Sequence, residues 1–291
     1  MRKHTNTRHY HFKKIYFNFD LKKIWLIIPF LILALLLIVI PLIFILIRSF
    51  IPAPDLSVSE NWNIIDGYIF EKIFISIFVA LMTTIFCVLL AYPFTYILSQ
   101  TKNMLYRSIV ILIATAPIWT SFLVKLVGVK TFFDVMYGYK NATYGNFFVI
   151  IGLIYLYVPF MITPLYSTLA KMPKNLIWAS YDLGYNSFQT FFRVVVPYTF
   201  TALMSGVALV FLPSLTTVAV PQFLNNASDG TLIGDLIVNE GNIAGTSEIA
   251  LARVSALSST LLFTIAIGYV LIILAKKGYR WYRIKGRDKE C

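Results

Sequence analysis

Charge is what this chain has least of. Only 13% of its 291 residues are Asp, Glu, Lys or Arg, against 58% hydrophobic, and the mean hydropathy is +0.76. A soluble domain usually carries about 25% charged residues, so a soluble fold is excluded and an all-α polytopic membrane protein is expected. Cysteine is nearly absent: Cys87, in mid-span, and Cys291, at the far end, lie too far apart to pair, and no disulfide is expected. His4, His9 and His11 are irregularly spaced, with no Cys or carboxylate cluster beside them, so no metal site is expected. No phosphate loop, HExxH, GxSxG or CxxC occurs, so no catalytic residue is assigned and the chain reads as a non-enzyme. The apolar runs hold almost no ionisable groups, which removes the parts of a membrane proton relay. Energy for any transport has to come from another chain.

What is present is a series of long apolar stretches. Six are long enough to span a hydrocarbon core, for which about 20 residues are typical: Ile24–Ile47, Ile73–Ser99, Ser108–Val124, Phe147–Ala170, Val194–Val220 and Val254–Ala275. The third is the weakest, being short, holding Pro117 and ending at Lys125. The first exceeds the roughly 7–15 residues of a signal-peptide core, and no small-x-small site follows it. It is expected to stay as an anchor, making 24–50 a first span, 68–276 a core, and 1–23 and 277–291 basic ends.

Those ends carry most of the net charge of +12. Arg2, Lys3, Arg8, Lys13, Lys14, Lys22 and Lys23 precede the first span, and Lys276, Lys277, Arg280, Arg283, Lys285, Arg287 and Lys289 follow the last. Lys102, Arg107, Lys171, Lys174 and Arg193 fall in the second and fourth connections. The stretches 51–68 and 221–251 contain no Lys or Arg but several acids. The positive-inside rule then puts both termini in the cytoplasm. Anionic membrane lipid accounts for the basic ends, and no nucleic-acid partner is expected.

Between the fourth and fifth spans runs Asn175–Pro197, NLIWASYDLGYNSFQTFFRVVVP. Trp178, Tyr181, Tyr185, Phe188, Phe191 and Phe192 recur near the three-and-four spacing of a helical face, Gly184 interrupts them, and Pro197 opens the next apolar run. The pattern predicts two short helices about a glycine turn, a knob that a soluble protein could grip. An interfacial helix with its aromatics in the headgroup belt fits as well. On the residues alone the two readings stand level.

The segment resembles the coupling loop of ABC-importer permeases of the binding-protein-dependent (MetI-like) family: Glu-Ala-Ala, three residues, Gly, nine residues, Ile-x-Leu-Pro. Trp178-Ala179-Ser180, Gly184 and Val194–Pro197 match that spacing, with Trp178 in the place of Glu and Ser180 in that of the second Ala. Asp182 is common in the polyamine branch of the family. Pro117–Lys125 (PIWTSFLVK), Phe211–Leu215 (FLPSL), Val220–Leu224 (VPQFL) and Leu232–Ile237 (LIGDLI) are similar to segments of its spermidine/putrescine permeases. The resemblance covers roughly Tyr68 to Ala275. It implies a bacterial plasma-membrane permease that forms the translocation path and couples through Trp178, Ala179, Ser180, Asp182, Gly184 and Pro197. Its implied partners are a cytoplasmic ATPase dimer that binds ATP and Mg, a second related permease and an extracellular substrate-binding protein; this chain itself holds no cofactor.

For a cationic cargo, Trp119 offers a cation–π face worth about 0.5–2 kcal/mol, and Thr120 and Ser121 offer hydroxyls. Each has a plainer role, Trp119 in the interfacial belt and the hydroxyls bonded to their own helix. Lys125 is expected to snorkel or to pair with a carboxylate. Asp235 and Glu240, read as lying in an outward loop, would make an acidic mouth that concentrates a polycation, or would be solvated loop acids or contacts to a docked partner. Alternatives left open are a permease for thiamine, iron or an oxyanion, and a membrane scaffold or insertion protein without transport.

Overall fold

The computed structural model describes residues 21–52, 57–137, 145–224, 232–244 and 247–287, with side chains described except at 21–26, 137, 244 and 270–287. The basic residues and histidines of 1–20, Lys140, Lys289 and Cys291 lie outside them. The described residues hold helices and no strand. In order these are α1 (Leu21–Ala34), a π-turn (Leu35–Val39), α2 (Ile40–Phe50), α3 (Val58–Trp62), α4 (Gly67–Gln100), α5 (Met104–Trp119), α6 (Phe122–Tyr137) and α7 (Gly145–Leu169). There follow α8 (Lys174–Asp182), α9 (Ser187–Thr190), a second π-turn (Phe191–Val195), α10 (Val196–Leu215), α11 (Ala219–Leu224), α12 (Ile233–Ala244) and α13 (Glu248–Arg287). Five helical stretches are long and apolar enough to cross a membrane, and α5–α6, bent by 98°, makes a sixth if the pair is one span.

Helix α4 starts where Asp66 accepts from Ile69 N at 3.1 Å, the N-cap bond that satisfies one of the first free amides. Its 34 residues make a rod of about 51 Å at 1.5 Å per residue, longer than a bilayer core. It packs on α7 and α10 to form the heart of the bundle, where Cys87, Ala91, Met161, Ile162, Leu165 and Val210 are buried together. Close approach depends on small residues, as is usual where lipid removes the hydrophobic drive between helices. A Cβ added to Gly206 on α10 would sit 2.6 Å from Met161 Sδ on α7.

The first span stands apart from that heart. Between Ile27 and Phe50 only Ser49 is buried, and α2 rests on α13 and α3. Asn61 Nδ2 donates to Ile51 O at 2.8 Å, Trp62 Nε1 donates to Ser49 O at 3.1 Å, and Arg48 pairs with Glu248 at 3.5 Å.

Two boundaries differ from the apolar runs. The stretch Ser108–Val124 is not one helix: α5 stops at Trp119, two residues past the kink-prone Pro117, and α6 leaves at a steep angle. The fifth run likewise stops at Leu215, and α11 follows a short break at Thr216–Val218.

Candidate functional site

The knob between α7 and α10 is built from local rules. Pro173, extended at ψ 124°, cannot continue α7 and sits as N-cap of α8. Along α8, Ile177 and Ser180 face inward, while Leu176, Trp178, Tyr181 and then Leu183 lie on the surface. The end of α8 is a Schellman motif: Gly184 N donates to Tyr181 O at 2.8 Å and Tyr185 N to Ser180 O at 3.1 Å. That motif needs a left-handed residue, and Gly184 has φ +81°. Asn186 then opens α9 with a capping box: its Oδ1 accepts from Gln189 N at 2.8 Å, and its own N donates to Gln189 Oε1 at 3.2 Å. The Asn-x-x-Gln spacing was a usable sequence signal for that turn.

Placement sorts the six residues expected to couple. Trp178, Ala179, Asp182, Gly184 and Pro197 are exposed. Ser180 is not: it is 3% exposed, donates to Ile177 O at 2.7 Å and shares a 2.9 Å hydrogen bond with the Thr190 hydroxyl. It ties α8 to α9. The matching family position holds alanine, small enough for the same close approach. Asp182 sits in the last turn of α8, where a carboxylate opposes the helix dipole. The second short helix does not stand free, because α9 runs through the π-turn into α10.

Two aromatic residues outside the segment anchor it. Phe191 meets the rings of Tyr92 and Tyr96 on α4 edge-on, at 5.0 and 5.3 Å. The Tyr92 hydroxyl is hydrogen-bonded to that of Thr199 on α10. Tyr92 is about a hundred residues away in the chain, so neither periodicity nor motif could pair it with Phe191. Such edge-on pairs are worth about 0.5–1.5 kcal/mol each beyond their area. Phe191→Ala is therefore expected to raise amide exchange across 185–195 by about tenfold while α7 keeps its protection. Unchanged exchange in the knob would mean that this contact does not hold it to α4.

The second region is the elbow between α5 and α6. Trp119 is 82% exposed at its tip. Thr120 Oγ1 donates to Pro117 O at 3.0 Å, so its hydroxyl is turned back on its own helix, and exposed Ser121 lends its carbonyl to the first turn of α6. Lys125 is partly exposed and meets no described carboxylate; its Nζ donates to Pro117 O at 2.8 Å. Thr120, Lys125, Phe132 and, on α7, Tyr155 line a cleft of about 510 Å³.

The acids read as an outward loop lie on α12. The spacing of Ile233, Leu236 and Ile237, which pack into the α4–α13 core, is helical. Asp235 is 6% exposed and accepts from Gln222 Nε2 at 2.6 Å. Glu240, five residues on, is partly exposed and points another way round the helix, so the two do not form one acidic mouth. The helix start is held tightly: Ile233 N donates to Ser76 Oγ on α4 at 2.9 Å. A Cβ on Gly234 would lie 2.7 Å from Thr217 O and 2.8 Å from Thr216 O.

No family model matches the chain. It is 38% identical over 88% of its length to the spermidine/putrescine transport system permease protein PotB homolog of Mycoplasma genitalium, covering 93% of that protein. It is 41% identical over 86% of its length to the PotB homolog of Mycoplasma pneumoniae, covering 91% of it. In fold it is similar to a chain in the crystal structure of a bacterial ABC transporter involved in the import of the acidic polysaccharide alginate. That match has a TM-score of 0.65 at 14% identity, over 87% of this chain and 96% of the other. With such identity over nearly its whole length, and on a fold shared with an ABC importer, the chain belongs to the PotB family of transport-system permeases.

Proposed function

We propose that this chain is the membrane-spanning subunit of an ATP-driven importer whose cargo is a polyamine, spermidine or putrescine. The observation that carries the reading is the Asn175–Pro197 knob, a rigidly capped projection with Trp178, Leu183 and Phe188 on its surface, in a chain whose relatives bear the spermidine/putrescine name. Two copies of a cytoplasmic ATPase hold ATP and Mg and hydrolyse the nucleotide, a second related permease completes the path, and an extracellular binding protein delivers cargo. Both chain ends and the knob face the cytoplasm, in keeping with the Lys and Arg bias. Closure of the ATPase dimer pushes on the knob, Phe191 passes the displacement to α4, and the bundle alternates between outward and inward openings.

Trp119 is the path residue best suited to a polyamine, because its exposed ring can hold an ammonium weakly and release it. Trp119→Ala is expected to lower spermidine transport about two- to thirtyfold without loss of complex assembly; unchanged transport makes Trp119 a belt residue. The cargo itself is tested by uptake of labelled spermidine and putrescine in cells with and without the chain, thiamine and sulfate serving as competitors. Loss of polyamine uptake alone is the expected result. Retained polyamine uptake overturns the cargo while leaving the fold family intact.

A further inference from the structure

We infer that Lys125 is a positioning residue: its ammonium clamps the elbow between α5 and α6 and thereby sets the angle of the broken third span. The role follows from what a broken helix leaves unpaired. The last four carbonyls of α5 lack intrahelical partners, and in apolar surroundings such groups must find another donor. Pro117 O finds two, Thr120 Oγ1 from the turn and Lys125 Nζ from the next helix. Lys125 lies within the first turn of α6, its own N donating to Ser121 O at 3.2 Å. Its side chain thus spans the break and ties α6 back to the end of α5.

The charge suits the place. A cation at a helix C-terminus is favoured by the aligned peptide dipoles, and no described carboxylate pairs with Lys125. Bound in this way, the ammonium is occupied by a carbonyl beside the exposed Trp119, so it need not act as a free charge facing a cationic cargo. The cleft beside it, lined also by Tyr155 of α7, has room for α6 to swing if the clamp is lost. Removing a hydrogen bond to a charged group corresponds to about ten- to hundredfold in the equilibrium it controls.

The effect on transport rests on the proposed importer function; the geometry does not, and the experiment separates the two. Nitroxide labels are placed at Leu112→Cys and Val135→Cys, both exposed and one on each helix, in full-length protein carrying Cys87→Ala and Cys291→Ser. Pulsed spin-label distance measurement in nanodiscs is expected to give one narrow distribution with Lys125, a broad or two-component one in Lys125→Met, and a narrow one again in Lys125→Arg. Lys125→Gln serves if Lys125→Met does not assemble, with the broadened result expected. In uptake assays, Lys125→Met is expected to lower the maximal rate about tenfold, with KM unchanged and Lys125→Arg restoring it. A distribution unchanged by loss of the amine overturns the proposal, and an unchanged distribution with altered KM makes Lys125 a cargo contact. If the chain carries no polyamine, the distance arm still decides the clamp.

Discussion

Gly184→Val is expected to abolish uptake while leaving the protein in the membrane in normal amount. The cause is backbone strain rather than lack of space, since nothing lies within 4 Å of a Cβ built on Gly184. At φ +81° the residue is left-handed, which costs an L-amino acid roughly 1–2 kcal/mol, and a β-branched side chain resists it further. The cheapest relief is to open the turn, and opening it gives up the bond from Tyr185 N to Ser180 O that closes α8. Released from that turn, α8 would no longer hold Trp178 and Leu183 at a fixed angle to α9. The buried contacts of α4, α7 and α10 are elsewhere and keep the bundle assembled. Gly184→Asn separates the causes, because asparagine tolerates the left-handed region. It is expected to keep most of the uptake, and normal uptake by the valine variant would remove the coupling role of this turn.

The second large effect is at the opposite end of the architecture. Gly234→Ala forces a methyl against two carbonyl oxygens of the Thr216–Thr217 backbone, which, unlike a flexible side chain, cannot swing away. Overpacking of this kind costs about 1–3 kcal/mol, and the melting temperature of the purified protein should fall by several degrees. Relief would move the start of α12, disturbing the bond from Ile233 N to Ser76 and the contact of Asp235 with Gln222. Gly241→Ala on the same helix is the control: nothing stands within 4 Å of its Cβ, and the change should stabilise the helix by up to about 1 kcal/mol. Equal behaviour of the two variants would mean that the close approach at Gly234 does not constrain α12.

Most of the architecture was legible because membrane spans are written as long uncharged runs, and four of them are single helical stretches. The third was legible only as a run. Between Ser108 and Val124 no charge marks the break, and Thr120 and Ser121 are weak punctuation beside Pro117, so hydropathy could count the segment but not see it fold back. The knob was readable from Gly184 and the three-and-four spacing of its aromatics. Its attachment was not, since Phe191 gains its meaning from Tyr92 and Tyr96 on a distant helix. Asp235 reads as a loop residue for a related reason: Gly and Asn are frequent around it, and sequence alone does not reveal that a carboxylate will be covered and hydrogen-bonded. Ser180 matched its motif by position while serving an internal contact, which spacing cannot distinguish from a surface one.

Coupling requires that the exposed face of the knob meet the ATPase. A photoreactive phenylalanine analogue at Leu183, 75% exposed at the turn, is illuminated in membranes of cells expressing the whole transport system, with Leu112 on α5 as the comparison site. The expected result is a covalent adduct from position 183 containing the peptides of an ABC ATPase, weakened in the Gly184→Val background and absent from position 112. Adducts from position 183 that lack the ATPase, in a strain whose uptake is normal, would contradict it.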